Sequence, residues 1–359
     1  MGPSGRRRAS LGALALAGLS AVGVLAVRRH ELGPGLSRVR PELRAPLLAL
    51  GRGPTGAPQE PTVVPPRVAA VASRVFPVGL GQRQAVPGQD GEVPVWVYET
   101  AERAAAGPTG ALLWLHGGGL IAGTPAQDHM LCTRIARELG ILVVSVDYRL
   151  APAHPYPAAI EDCALVLRWL TEDSERLGVD PARIAVGGSS AGGGLAAALA
   201  QRVRDERRDR GAGPDRPGST VPSIAFQLLV YPMLDDRTGA GGVEVPGRGE
   251  YVWTARSNAE GWAAYLGHRA GEPENRPWAV PARCEDLSGL ADAWIGVGEL
   301  DLFVEENLRY AERLRQAGAD VQVRVEPGMY HGADHCTWSA AMRDFRAEAL
   351  DALGRALRS

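Results

Sequence analysis

The chain contains 359 residues, 45% of them hydrophobic and 22% charged, with a formal net charge of −2 at pH 7. This composition is typical of a globular protein with a core large enough for one long domain or two. The near-zero net charge argues against nucleic-acid binding, which is expected to show a basic stripe with interleaved aromatic residues.

The cysteines give no sign of a metal or redox site. There are four of them, widely spaced and without a C-x-x-C pair, so neither a zinc site nor a redox motif is predicted. Cys132 and Cys163 fall within predicted helices and are expected to be buried thiols. A disulfide between Cys284 and Cys336 is the less favoured alternative for the other two.

Residues 1–32 have the pattern of a signal peptide or a membrane anchor. Three arginines at residues 6–8 precede an uncharged apolar run over residues 9–27, and two more arginines follow it. The run is near the lower length limit for a membrane-spanning helix and slightly long for the apolar part of a signal peptide. Small residues at 15–17 favour cleavage and export, whereas the positive charge after the run favours an uncleaved anchor. We therefore expect membrane anchoring or export, with a soluble helix and a cytoplasmic location as the alternative.

Residues 33–70 are rich in proline and glycine, which predicts a linker. Within it, residues 41–50 have the spacing of one short amphipathic helix, which Pro46 either kinks or starts. The main domain is predicted over residues 71–359.

Short apolar runs alternate with helical patterns through the main domain. The first strand, residues 93–98, carries Pro94 near its start and is expected at an edge of the sheet, where a missing ladder donor is tolerated. The elements predicted after it are strand 111–115, helix 128–139, strand 141–146, helix 158–177, strand 184–186, a helix from residue 195, strand 224–230, strand 291–297, helix 305–318, strand 321–325 and helix 338–357. This alternation predicts an α/β fold with a mostly parallel central sheet flanked by helices on both faces.

Residues 235–283 separate two of these strands and show no strand pattern, but they contain five large aromatic residues. Open α/β sheets bind ligands at the carboxyl ends of their strands, so a helical insertion here is expected to cover a ligand site. For each aromatic residue, a purely structural role in holding the insertion onto the sheet is the alternative. The five are Tyr251, Trp253, Trp262, Tyr265 and Trp278.

The sequence Gly188-Ser189-Ser190-Ala191-Gly192 lies between the predicted strand 184–186 and the helix that follows. It matches the G-x-S-x-G pattern of a nucleophile elbow, in which the flanking glycines let the backbone turn sharply and expose the Ser190 hydroxyl. A glycine-rich turn that only packs a helix against a sheet is the alternative. A second motif, His116-Gly117-Gly118-Gly119, follows the strand 111–115 and favours the catalytic interpretation.

A serine hydroxyl is a weak nucleophile near neutral pH and needs a base, which in turn needs an acid to orient it. Asp301 follows the strand 291–297 and His331 follows the last strand, so both are expected near Ser190 at the carboxyl edge of the sheet. Asp301 is preferred because it stands just beyond its strand, and His331 because the turn at residues 327–328 places it at the strand end. The alternatives for the acid and the base are Glu299, Glu305, Asp334 and His335.

The backbone N–H groups of Gly117, Gly118 and Ala191 are expected to surround the oxyanion of a tetrahedral intermediate. Glycine is needed in this loop because a side chain would obstruct the acyl oxygen. The helix predicted after the elbow points its N-terminus at the site, so the Ala191 N–H can face the same developing negative charge. We expect His116 to order the glycine loop rather than to act as a base.

From residue 93 to its C-terminus the chain resembles the hormone-sensitive-lipase-like carboxylesterases of the α/β-hydrolase fold. The resemblance implies a helical cap made of the helix at residues 41–50 and the insertion at residues 235–283. Six blocks carry it, namely residues 116–119, 147–152, 155–158, 188–193, 298–301 and 331–332.

The resemblance implies a triad of Ser190, Asp301 and His331, with the family's oxyanion loop on the first two glycines after His116. Two positions depart from the family pattern. Ser189 stands where the family has aspartate, and Ala153 stands where it has glutamate. Each change removes a carboxylate of the buried type that would hydrogen-bond nearby backbone, but no catalytic group is missing.

These observations predict a serine carboxylesterase that hydrolyses small or short-acyl esters through an acyl-enzyme intermediate. An amidase or lactonase that uses the same site is the alternative within enzymes. A ligand-binding protein on a hydrolase scaffold is the alternative outside them. A small ester is the expected partner, no metal or organic cofactor is implied, and the sequence predicts no oligomeric state.

Overall fold

The computed structural model of the protein describes residues 34–50, 81–88, 91–211 and 222–358. In these four ranges, no helix is both long and apolar enough to cross a membrane. The apolar run predicted as an anchor or export signal, residues 9–27, lies outside them, as does most of the predicted linker. The chain divides into two compact units, residues 1–60 and 61–359.

The described part of the first unit is helical. Two 3-10 turns, Pro34–Arg38 and Pro41–Leu43, lead into helix α1, Arg44–Leu50. The helix predicted over residues 41–50 is therefore confirmed. Pro46 lies in the first turn of α1, where a backbone N–H has no helical partner to lose, so proline is tolerated there.

The second unit is built on one sheet, whose described strands are β1 Gly81–Gly88, β2 Gly91–Tyr98, β3 Thr109–Leu115, β4 Leu142–Val146, β5 Val179–Ser189, β6 Phe226–Val230, β7 Ala293–Gly298 and β8 Val321–Glu326. Their spatial order is β1-β2-β4-β3-β5-β6-β7-β8. The β1–β2 and β2–β4 pairs are antiparallel, and every other neighbouring pair is parallel. The predicted α/β fold with a mostly parallel sheet is thus confirmed.

The described α-helices of this unit are α2 Ala101–Ala105, α3 His129–Leu139, α4 Ala158–Glu172, α5 Ser174–Leu177, α6 Ala191–Asp209, α7 Ala255–Leu266, α8 Val304–Gln316 and α9 Ala340–Ala356. Gly140 and Gly178 end α3 and α5 in the left-handed conformation (φ 63° and 60°), where glycine costs least. The single helix predicted over residues 158–177 is wrong in one detail, because Asp173 divides it into α4 and α5.

The core lies along the central strands. Side chains of β3, β4 and β6 are buried on both faces of the sheet, which explains why these strands appear in the sequence as continuous apolar runs. Helix α6 covers one face with small side chains, and Ala196, Ala197 and Leu199 are fully buried. The small residues let this helix lie close to the sheet directly behind the elbow.

The expectation that the strand over residues 93–98 forms an edge is wrong, because β1 lies outside it. Pro94 pairs with Ala85 of β1, while its carbonyl oxygen accepts a hydrogen bond from the Asp147 N–H (3.0 Å) on the opposite side. The N–H that proline lacks would point to that same side. The ladder with β4 begins only at Val95, so the missing donor falls where the pairing has already ended.

The insertion at residues 235–283 is helical around α7, and an isolated bridge between Val245 and Arg248 is the only β pairing among its residues, all of which are described. Thr254 caps the start of helix α7, and its hydroxyl accepts from the Ser257 N–H (3.2 Å). The predicted strand-free character of the insertion is confirmed.

All four cysteines are free thiols, so the alternative disulfide between Cys284 and Cys336 is not formed. Cys132 and Cys163 are buried in α3 and α4, as predicted. Burial raises the pKa of both thiols well above the usual value, so they stay protonated and unreactive.

Candidate active site

Ser190 occupies the turn between β5 and α6. Its backbone has φ 55° and ψ −120°, a conformation that a residue with a side chain rarely adopts. Hydrogen bonds to the chain after β6 hold it. The Ser190 N–H donates to the Val230 carbonyl oxygen (2.9 Å), and the Met233 N–H donates to the Ser190 carbonyl oxygen (2.9 Å). The strained residue is therefore fixed on both of its backbone groups, by the last residue of β6 and by the chain just beyond it.

Gly188 and Gly192 are required by close backbone packing at the turn. Neither has a positive φ, so the strain falls on Ser190. A Cβ on Gly188 would lie 2.5 Å from the Leu115 carbonyl oxygen, and a Cβ on Gly192 would lie 2.0 Å from the same oxygen. The expectation that these glycines permit the sharp turn fits a further contact, since a Cβ on Gly188 would also lie 2.4 Å from the Gly192 carbonyl carbon across the turn. They let the end of β3 approach the elbow.

The structure brings the side chains of Ser190, His331 and Asp301 into one hydrogen-bonded chain. His331 Nδ1 lies 2.8 Å from Asp301 Oδ2, and His331 Nε2 lies 2.9 Å from Ser190 Oγ. A carboxylate only accepts, so Nδ1 donates its proton to Asp301 and leaves Nε2 to accept from the serine hydroxyl. The exposed fractions are 5% for Ser190, 6% for His331 and 0% for Asp301, so these three hydrogen-bonded side chains are largely shielded from water.

The three residues meet because β5, β7 and β8 end at the same edge of the sheet. Asp301 stands three residues beyond β7, and its second oxygen, Oδ1, accepts from the Phe303 N–H (3.0 Å). His331 stands five residues beyond β8. Both carboxylate oxygens of Asp301 are thus engaged, which fixes the orientation of the His331 ring.

Within the described part of the chain, none of the four alternative residues bonds the serine or the histidine. Glu299 instead accepts from the Gly328 N–H (2.9 Å) in the turn that follows β8. Glu305 forms an exposed ion pair, and His335 is exposed. Asp334 belongs to a separate buried cluster of polar side chains.

The glycine loop after β3 lies against the elbow. A Cβ on Gly117 would lie 3.4 Å from the Ser190 Cβ, and Gly118 has φ 128°, which only glycine adopts readily. Among the described residues, no acceptor bonds the N–H groups of Gly117, Gly118 and Ala191. Ala191 is the first residue of α6, where a free N–H is inherent in helix geometry. Gly117 therefore lies against Ser190, Ala191 directly follows it, and Gly118 is the next residue of the loop.

His116 sits beneath this loop and is fully buried. Its Nδ1 lies 2.8 Å from the Gly117 carbonyl oxygen, its ring stacks on Tyr148 at 4.2 Å, and its own carbonyl oxygen accepts from the Tyr148 hydroxyl (2.7 Å). Burial lowers the pKa of His116 to about 4, so the ring is neutral at neutral pH. These contacts fasten the loop to the chain that follows β4.

The two departures from the family pattern differ in their surroundings. Ser189 is buried, and a Cβ on Gly117 would lie 3.2 Å from its hydroxyl oxygen, so the small side chain faces the glycine loop. Ala153 is exposed. The expectation that a buried carboxylate is lost at this position is therefore wrong for Ala153, since a side chain here is hydrated.

Among the aromatic residues of the insertion, Trp253 lies at the site. Its ring centroid is 6.3 Å from that of His331, and a Cβ on Gly119 would lie 2.1 Å from its Cη2 atom. The indole Nε1 donates to Asn258 Oδ1 (3.2 Å), and Asn258 is fully buried. Trp253 therefore covers the glycine loop and borders the base.

Three of the other aromatic residues hold the insertion in place. Trp262 and Tyr265 pack together with ring centroids 6.1 Å apart, and Tyr265 also contacts Tyr156. Trp278 Nε1 donates to Asp205 of α6 (2.8 Å). For these three the structural alternative is the better description.

Sequence reasoning did not single out Tyr231, which packs against His331 with ring centroids 4.7 Å apart. Sequence reasoning also did not distinguish Trp253 from the other four aromatic residues of the insertion. The only local signal for Tyr231 is its position directly after β6, at the edge where β5 and β7 also end. Both contacts are long-range and have no periodic signature in the sequence.

A family model described as an alpha/beta hydrolase fold matches residues 112–335. The carboxylic ester hydrolase LipN of Mycobacterium tuberculosis is 36% identical over 248 residues, which cover 69% of this chain and 62% of LipN. The carboxylesterase NlhH of the same organism is 34% identical over 278 residues, which cover 75% of this chain and 81% of NlhH. Among solved structures, a bacterial heroin esterase matches with a TM-score of 0.76 at 33% identity, covering 90% of this chain and 99% of that one. The chain belongs to the hormone-sensitive-lipase-like carboxylesterase family of the α/β-hydrolase fold.

Proposed function

We propose that the protein is a serine carboxylesterase that acts through an acyl-enzyme intermediate. The observation that carries the proposal is the His331 ring, which lies within hydrogen-bond distance of both Asp301 and Ser190 at a strained elbow. Family membership and esterase relatives support the same activity. The side-chain geometry and the similarity to esterases are separate lines of support.

In the proposed acylation, Ser190 Oγ attacks the ester carbonyl carbon while His331 Nε2 takes the hydroxyl proton. Asp301 stabilises the imidazolium that forms. The tetrahedral intermediate then collapses, the bond to the alcohol oxygen breaks, and His331 returns the proton to the departing alcohol. Water repeats the sequence on the acyl-enzyme, which releases the acid and restores the serine.

The N–H groups of Gly117, Gly118 and Ala191 are proposed to bind the oxyanion. Their lack of an acceptor among the described residues supports this role, as do the close approach of Gly117 to Ser190 and the place of Ala191 directly after it. Each such donor is worth about 3 kcal/mol of transition-state stabilisation in comparable sites. The neutral, buried His116 supports the loop that carries two of them.

We further propose that the substrates are small or short-acyl esters. Trp253 lies over Gly119 and beside His331, and the exposed fractions of Ser190 and His331 are only 5% and 6%. Such enclosure leaves little room for a long chain. The test is kcat/KM for p-nitrophenyl esters from acetate to decanoate, with matching anilides and lactones. Faster turnover of long-chain triglyceride emulsions than of butyrate esters would overturn the proposal.

The assignment of the nucleophile is tested by labelling with a fluorophosphonate. We expect stoichiometric labelling of Ser190, and Ser190→Ala should lower kcat by about 10⁶. The neighbouring Ser189→Ala is the matched control and should remain labelled. A folded protein that binds small esters but is not labelled would be a binding protein rather than an enzyme.

We also propose, on the sequence of residues 9–27 alone, that the N-terminal segment anchors or exports the protein. The full chain and a variant that starts at residue 34 should be compared by membrane fractionation. Recovery of the full-length, full-mass chain entirely in the soluble fraction would rule out both roles.

A further inference from the structure

The loop that carries His331 is anchored three residues later by Asp334, which is buried. Asp334 Oδ1 accepts from the Tyr231 hydroxyl at 2.6 Å. Its Oδ2 accepts from Arg346 of α9, at 2.9 Å from Nη2 and 3.1 Å from Nε. One carboxylate therefore joins the histidine loop to the last helix and to the residue that follows β6. The reaction steps proposed above use none of these groups.

Tyr231 lies beside the proposed base and directly follows Val230, which bonds the backbone of the proposed nucleophile. Its ring packs against the His331 ring with centroids 4.7 Å apart and planes at 60°. Its backbone has φ 37°, and its N–H donates to the Gly296 carbonyl oxygen at 2.6 Å. The residues beside it, Val230 and Met233, make the two backbone bonds that hold the elbow. A displacement of Tyr231 would therefore disturb both ends of the hydrogen bond between histidine and serine.

The hydrogen bond between Tyr231 and Asp334 is a strong one, because the carboxyl group is ionised and the phenol keeps its proton. Burial alone would raise the pKa of Asp334, but the charges of His335 and Arg346 and the hydrogen bond from Tyr231 outweigh it and lower that pKa below its usual value. Burial raises the pKa of Tyr231 well above the usual value, so the proton stays on the phenol. A neutral hydroxyl that donates to a carboxylate forms a charge-assisted bond, which is shorter and stronger than a neutral one.

We propose that Tyr231 and Asp334 are positioning residues that hold the His331 imidazole between Ser190 and Asp301. The proposal rests on the proposed esterase function. The Tyr231 ring gives His331 a surface to pack on, and the bond to Asp334 fixes the tilt of that ring and the position of the histidine loop. Misplacement of a catalytic group by about 1 Å can cost about 100-fold in rate.

The test is Tyr231→Phe, which keeps the ring and removes only the donor. We expect kcat for p-nitrophenyl butyrate to fall by about 10- to 100-fold while KM changes by less than about threefold, because substrate contacts are unaltered. Asp334→Asn should lower kcat by a similar factor. The double variant should lose less than the product of the two single losses, because both changes weaken the bond between Tyr231 and Asp334.

Tyr310→Phe is the matched control. Tyr310 of α8 is also buried, and its hydroxyl accepts from Gln201 (3.1 Å) rather than joining the site. Its loss should lower the melting temperature by less than Tyr231→Phe does, because the bond is a neutral one, and it should leave kcat within twofold. A folded Tyr231→Phe with kcat within twofold of the wild type would overturn the proposal, and so would an equal loss of kcat in Tyr310→Phe. Should Asp334→Asn fail to fold, the two tyrosine variants decide the matter.

Failure of the proposed function is distinguishable from failure of this inference. A wild-type protein that is neither labelled by fluorophosphonate nor active on esters would refute the function. In that case the position of the His331 ring can still be followed by NMR, through the downfield resonance of the proton between His331 Nδ1 and Asp301. That resonance should shift or broaden in Tyr231→Phe and stay unchanged in Tyr310→Phe. An unchanged resonance in Tyr231→Phe would refute the positioning role of Tyr231.

Discussion

Replacement of Trp253 by leucine should shift the preferred acyl chain towards greater length. The indole lies over Gly119 and 6.3 Å from the His331 ring, so a smaller side chain opens space beside the reacting centre. The change from tryptophan to leucine makes room for about three methylene groups of the acyl chain, and the burial of each contributes about 0.8 kcal/mol to binding in the transition state. The total of about 2.4 kcal/mol corresponds to about a 60-fold rise in the ratio of kcat/KM for octanoate to that for acetate.

The assay is kcat/KM for p-nitrophenyl acetate and octanoate with the wild type, Trp253→Leu and Trp262→Leu. Trp262→Leu is the matched control, because it makes the same substitution at another buried position of the insertion. Trp262 packs on Tyr265 rather than on the glycine loop. Both variants should lose stability to a similar degree, because each leaves a cavity. A ratio that stays within threefold in Trp253→Leu, or rises equally in Trp262→Leu, would refute the reasoning about the pocket wall.

Three further outcomes are expected. Asp301→Asn should lower kcat by about 10⁴ with little change in melting temperature, and a loss below about 100-fold would contradict its role in orienting the base. Gly192→Ala should abolish activity or folding, because its Cβ would lie 2.0 Å from a backbone oxygen, whereas Gly140→Ala, in open space, should cost only about 1 kcal/mol of stability. The pKa of His116 falls to about 4 on folding, so its contribution to stability is complete above about pH 6.5 and is lost towards pH 4. Urea unfolding at pH 7 and pH 5 should show an excess loss of about 2 kcal/mol in the wild type over His116→Asn, and equal losses would refute it.

The buried strands and the helices between them could be predicted because each carries a local pattern. Residues 142–146 are apolar throughout, and Gly140 and Gly178 mark helix ends that the structure places in the left-handed conformation. Strand β1 was not predictable in this way. It contains Gln82, Arg83 and Gln84 and buries little beyond Val86, so its structure comes from pairing with β2.

The proposed nucleophile, acid and base could be named from sequence because each follows an element that ends at one edge of the sheet. The surroundings of the base could not be named. Tyr231 and Asp334 are 103 positions apart, and Trp253 reaches Gly119 from a different part of the chain. Such contacts depend on how the insertion and the last loop pack, which neither periodicity nor spacing encodes.

The close packing of the elbow has a consequence for how this scaffold can be altered. A Cβ on Gly194 would lie 2.0 Å from the Met233 carbonyl oxygen, just as one on Gly192 would meet Leu115. Backbone atoms cannot rotate aside as the end of a side chain can, so the first turn of α6 tolerates almost no variation. The insertion differs, since Val252 beside Trp253 is 57% exposed. A mutational library aimed at new substrates therefore belongs at the exposed positions of the insertion rather than in the first turn of α6, so that the elbow keeps its shape.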